Sequence, residues 1–107
     1  MVIPKPPQHL SSEAKGWWTK FQDEYGVEDE AGLLLMQTAL EAFDRMKDAQ
    51  QIVAKDGLMV KDRFDQLKAH PLLTTERDSR AQMMAALKSL NFDLEPLRDA
   101  PGRPGGS

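Results

Sequence analysis

The stretch Asp29–Asp56, DEAGLLLMQTALEAFDRMKDAQQIVAKD, decides the fold. Within it Leu35, Ala39, Ala42, Phe43, Met46, Ala49 and Val53 recur at helical spacing, and Leu33, Leu34, Met36, Leu40 and Ile52 widen the stripe. Asp29 is placed to cap the start, Glu30 to complement the positive first turn, and Gly57 to supply a left-handed stop. At 1.5 Å per residue such a helix is about 40 Å long, whereas a compact chain of this size has a radius of gyration of about 13 Å. One or two short neighbouring helices would leave much of so wide an apolar face uncovered. The expectation is that part of this helix meets another copy of the chain.

Upstream, Pro4, Pro6 and Pro7 and a lack of periodicity predict an extended, mobile lead-in over residues 1–10. Ser11 or Ser12 then starts a helix with Glu13 in its first turn, and Gly26 ends it. Ala14, Trp17, Trp18, Phe21 and Tyr25 form one buried face, with Val27 folding back near Phe21. Stacking of the tryptophans on bases is a possible reading, but at this spacing the pair belongs to the core, with one indole reaching a neighbouring subunit.

Downstream the period changes. Leu58 and Val60, then Leu67 and Ala69, alternate with more polar neighbours around the turn Asp62-Arg63-Phe64-Asp65. This pattern predicts a β-hairpin over about 58–69 with an apolar inward face, a basic outward face and Phe64 at its tip. His70-Pro71 closes the hairpin and opens a last helix. Leu73, Ala81, Met84, Leu87 and Leu90 are its expected buried stripe, and Asn91 its left-handed stop, returning Phe92 against Leu87. The Pro- and Gly-rich residues 94–107 are expected to be disordered.

The fold class is therefore mainly α: three helices (about 12–25, 30–56 and 71–90) and a short hairpin between the second and third. Residues 11–93 form one helical domain between a lead-in and a tail.

Composition narrows the function. The chain of 107 residues has no cysteine and two histidines, which excludes thiolate metal sites and a histidine-rich centre. Glu41, Asp44 and Asp48 share a helical face, but no Glu-x-x-His partner accompanies them, so they read as a solvated or interface-bordering face with Glu41 paired to Arg45. There is no phosphate-binding glycine loop and no motif joining a serine to a histidine, and Ser79 and Ser89 read as helix-surface residues. The expectation is a protein that is not an enzyme and takes no cofactor or metal. No apolar run approaches a membrane span and no signal-like region follows Met1, which points to the cytoplasm.

The net charge of −3 argues against a generic nucleic-acid coat. Its distribution is uneven. Residues 57–90 carry six cations against four carboxylates, an excess of two, which leaves −5 for the rest.

The ordered set of signals resembles a known family. It comprises Pro7-Gln8-His9-Leu10-Ser11, Ala14-Lys15-Gly16-Trp17-Trp18, Lys55-Asp56-Gly57-Leu58, Asp62-Arg63-Phe64 and Gln66-Leu67-Lys68. His70-Pro71-Leu72, Glu76-Arg77-Asp78-Ser79-Arg80-Ala81 and Asn91-Phe92-Asp93 complete it. Over about residues 4–95 this is similar to the phage terminase small subunit, in the family without an N-terminal helix-turn-helix. The resemblance implies a non-catalytic ring homo-oligomer, of about eight to ten copies. It also implies that the ring engages double-stranded viral DNA and presents or regulates the large ATPase and nuclease subunit in the host cytoplasm. Lys61, Arg63, Lys68, His70, Arg77 and Arg80 are the expected phosphate contacts, and Trp18, Leu35, Met36, Leu40, Phe43 and Phe64 the expected oligomer interface. The competing expectation is a helical protein-binding adaptor that self-associates without touching DNA.

Overall fold

The computed structural model describes residues 3–92; the expectation for residues 94–107 lies outside them. The order is α1 (Ser12–Tyr25), α2 (Glu30–Asp56), β1 (Met59–Lys61), β2 (Leu67–Ala69) and α3 (Leu72–Ser89). The helix boundaries follow from local capping. Ser11 is the cap of α1, its hydroxyl accepting from the Ala14 amide at 3.0 Å. Asp29 caps α2 by accepting from the Gly32 amide at 2.8 Å. Gly26 is left-handed, with φ 58° and ψ 50°. Gly57 departs from the expected left-handed stop. Its φ of 94° needs glycine, but its ψ of 162° is extended, so the chain leaves α2 directly into the hairpin. At the end of α3, Asn91 (φ 61°) turns left-handed, its amide bonding to Lys88 O and that of Phe92 to Leu87 O. This paired 5→2 and 6→1 arrangement closes the last turn.

α3 runs back antiparallel along α2. Arg45 donates to Gln82 at 2.8 Å, Gln50 to Glu76 at 3.1 Å, and the His70 ring lies 3.0 Å from Asp56, three rungs that pair ascending with descending residue numbers. α1 covers the N-terminal half of α2. Ala14 and Trp18 join Leu10, Val27, Met36, Ala39, Leu40, Ala86, Leu87 and Phe92 in one buried core. Small side chains on α2 permit this: Gly32, Ala39, Ala42 and Ala49 are all buried, so the neighbouring helices approach closely.

The expectation that α2 could not be sheltered within one copy is corrected here. α1 and α3 bury most of its stripe, and Leu34 and Ile52 are the exposed large apolar residues on it. The described part of the lead-in is extended and makes contacts with α1 and α2. Leu10 is buried, the Trp18 indole donates to Pro4 O at 2.9 Å, His9 lies 2.7 Å from Glu41, and the Ser11 amide donates to Asp44 at 2.9 Å.

Two faces differ from the sequence reading. In α1 the buried line is Ala14, Trp18 and Gln22, while Trp17 stays 39% exposed. In α3 the buried residues are Ser79, Ala86 and Leu87; Ala81 and Met84 are exposed, and Ser79 is not a surface residue. The antiparallel register pairs Met59 with Ala69, Val60 with Lys68 and Lys61 with Leu67. Directly opposed residues share a face, so Val60 and Leu67 lie on opposite sides and the expected single apolar face is split. Leu58, Met59 and Leu67 are each more than half exposed.

Candidate interaction surfaces

The hairpin turn is built from its own side chains. Asp62 O accepts from the Asp65 amide at 2.9 Å, and Asp62 Oδ1 accepts from the amides of Phe64 and Gln66 at 2.8 and 3.1 Å. Asp65 takes the left-handed conformation (φ 63°) that a three-residue hairpin loop requires. The result presents Phe64 at the tip, 69% exposed, with the Arg63 guanidinium 5.2 Å from its ring centroid.

The expected phosphate contacts divide. Lys61, Arg63 and Lys68 sit exposed on the hairpin, and Arg77 and Arg80 sit exposed on the first half of α3. Lys61 lies 3.3 Å from Asp65, Arg77 3.4 Å from Asp78 and Arg80 2.9 Å from Glu76. Among the described residues, Arg63 and Lys68 are the two of this set with no carboxylate at ion-pair distance. His70 is corrected. It is 7% exposed, its Nε2 faces Asp56 and its Nδ1 accepts from the Leu72 amide at 3.1 Å. Because Nδ1 accepts, the proton resides on Nε2 and is donated to Asp56. The side chain thus tethers the hairpin to α2 and caps α3, whose N-cap position, Pro71, has no side-chain bond of its own.

The expected interface residues divide as well. Trp18, Met36 and Leu40 are at most 3% exposed and belong to the core, Leu40 also contributing to the wall of a surface hollow. Leu35 and Phe43 are half-buried and Phe64 is open. What the sequence reading missed is an apolar hollow of about 240 Å³ where the three helices meet, lined by Trp17, Phe21, Ala39, Leu40, Phe43, Met83 and Leu87. Behind it Phe21 meets Phe92 at 5.0 Å between ring centroids, and Phe92 stacks on Tyr25 at 4.0 Å and 4°. Lys20 Nζ lies 4.7 Å from the Trp17 ring centroid on its rim. The signal for Trp17 was present in the i, i+4 pair with Phe21, now 5.8 Å apart, but periodicity does not say which edge of a stripe stays open.

The acidic face of α2 serves the lead-in. Glu41 accepts from Gln37 at 3.0 Å and faces His9, and these two hydrogen bonds, in that order, hold its carboxyl below the usual range. Arg45 does not pair with it at contact distance and donates to Gln82 instead. Glu76 is lowered in the same direction by Gln50 first and Arg80 second. Among the described residues no group of three His, Asp or Glu is placed to hold a metal ion.

What the fold offers is a helical scaffold whose exposed features are a cation-bearing hairpin and an apolar hollow, the makings of an interaction protein. The family comparison assigns it further: residues 14–96 match the model of the phage terminase small subunit, and the chain belongs to that family. That membership goes with a non-catalytic, packaging-associated role. Neither the curated proteins nor the solved structures gave a match.

Proposed function

We propose that this chain is the recognition subunit of a phage DNA-packaging terminase. In this reading it assembles into a ring in the host cytoplasm, engages double-stranded viral DNA, and presents or regulates the large ATPase and nuclease subunit. The family match over residues 14–96 carries the reading. The exposed cations on the hairpin and the start of α3 support its DNA arm. One protomer supplies only a weak positive surface, but phosphate binding sums over contacts, so repetition around an axis turns it into a strong one. Such contacts position without reading bases, and the binding is sequence-tolerant.

Fluorescence anisotropy with duplex DNA tests this. The expected result is a loss of affinity of at least tenfold between about 50 and 200 mM salt, with a shallower salt slope in Arg63→Ala and Lys68→Ala. A flat response from an intact assembly would remove the DNA claim. The net charge of −3 favours a second reading, a self-associating adaptor that binds the large subunit alone. Retention on a DNA column at low salt, set against pull-down of the large subunit, separates the two.

A further inference from the structure

Among the described residues, the fold exposes an aromatic ring at the hairpin tip and an apolar hollow between the helices. Phe64 is 69% exposed on a tip whose backbone is braced by the Asp62 side chain. The hollow between Trp17, Phe43 and Met83 has about 240 Å³ of room and apolar side chains on every wall. We infer that Phe64 of one copy of this chain seats in the three-helix hollow of a second copy.

Within one protomer the hairpin does not reach the hollow. The hairpin is anchored at the C-terminal end of α2, by the His70–Asp56 contact and by the His70 amide bonded to Leu58 O at 2.8 Å. Along the axis of α2, Phe43 and Asp56 are about 20 Å apart, and no hairpin residue lines the hollow. The segments that carry knob and socket differ in the sign of their net charge. Residues 11–30, whose Trp17 and Phe21 line the hollow and whose Lys20 lies on its rim, hold six carboxylates and two lysines, an excess of four negative charges. On the hairpin, Lys61 and Asp65 pair with each other and Asp62 is occupied by turn amides, which leaves Arg63 and Lys68 to face a partner. Opposite potentials of this kind steer and orient an encounter. A buried aromatic anchor in a desolvated pocket then supplies the binding free energy.

Because knob and socket are different surfaces, each copy that donates one still offers the other. The contact is head-to-tail, and it closes into a ring if the rotation permits and runs on as a filament if it does not. The inference rests on the self-assembly arm of the proposed function and is independent of DNA binding.

The chain has no native cysteine, which makes crosslinking clean. Gln66→Cys, beside the tip, and Lys20→Cys, on the rim, leave ring and socket intact. Mixed and treated with a short bis-maleimide, the two variants are expected to give a heterodimeric product. Adding Phe64→Ala to the Gln66→Cys partner is expected to lower the yield at least tenfold with unchanged far-UV circular dichroism. A product that survives Phe64→Ala overturns the inference. So does the absence of product while sedimentation shows the wild-type chain assembling, an outcome that leaves the assembly reading standing. A wild-type chain that sediments as a monomer at all concentrations overturns both.

Discussion

Glu41 shows how one side chain holds two segments together. It accepts from Gln37 on its own helix and faces His9 of the lead-in, and the neighbouring Asp44 takes Ser11, the residue that caps α1. A carboxyl held below its usual range stabilises the fold at pH values above its unfolded value. That contribution is lost as pH falls through the folded value. Glu41→Gln is therefore expected to be less stable than wild type near neutrality, with the gap closing as the solution is acidified below about pH 4. The side chain is about one-third exposed, so solvent screening limits the gap to about 0.5 kcal/mol. Urea unfolding at a series of pH values reads it; a gap that widens with acid would contradict the assignment. His70 was misread for a related reason. A histidine after a strand reads as a surface cation until the partners of both ring nitrogens are known.

Among the elements, α2 depends on a glycine that composition alone would call a weakness. Alanine is favoured over glycine inside a helix by about 1 kcal/mol. At Gly32, however, an added Cβ would lie 2.7 Å from Val27 Cγ1 and 2.8 Å from Asp29 Oδ1. Val27 is buried and Asp29 is the cap, so the new methyl group displaces either a core side chain or the capping bond. Gly32→Ala is expected to destabilise the chain by about 1–2 kcal/mol, the usual value of a cap, measured as a lower urea midpoint. An unchanged or raised midpoint would mean that the loop before α2 yields freely. The hairpin teaches a different lesson at this scale. Its existence and turn were legible from Asp62 to Asp65, but its faces were not. A register offset of one residue sends every side chain to the opposite side, and the pairing sum is a property of two strands together. In α3 the same limit appears as a phase error, with Ser79 inside and Met84 outside.

For the whole molecule, the question is which apolar surface remains after the protomer has folded. The length of α2 pointed to self-association, but α1 and α3 cover most of its stripe, so length is not the reason. The apolar surface that remains includes Phe43, Trp17 and Met83 around the hollow, Leu34 and Ile52 on α2, and Leu58, Met59, Phe64 and Leu67 on and beside the hairpin. Phe43→Glu places a charge at the mouth of the hollow and, because Phe43 is only half-buried, is expected to preserve helicity. Native mass spectrometry is expected to show the wild-type chain at a multiple of its 12.0 kDa mass and this variant shifted to smaller species. Unchanged mass in the variant would place the interface elsewhere.

Helix count, boundaries, caps and the hairpin turn were all set by residues near in sequence, because a cap or a turn is satisfied by groups within a few positions of each other. The family resemblance was legible for the same reason, since it rests on the order of such local signals. Tertiary structure alone decided which tryptophan faces outward, which hairpin face meets the helices, and where the hollow lies. Those outcomes depend on how three helices meet, and burial is a relation between segments that no single segment contains.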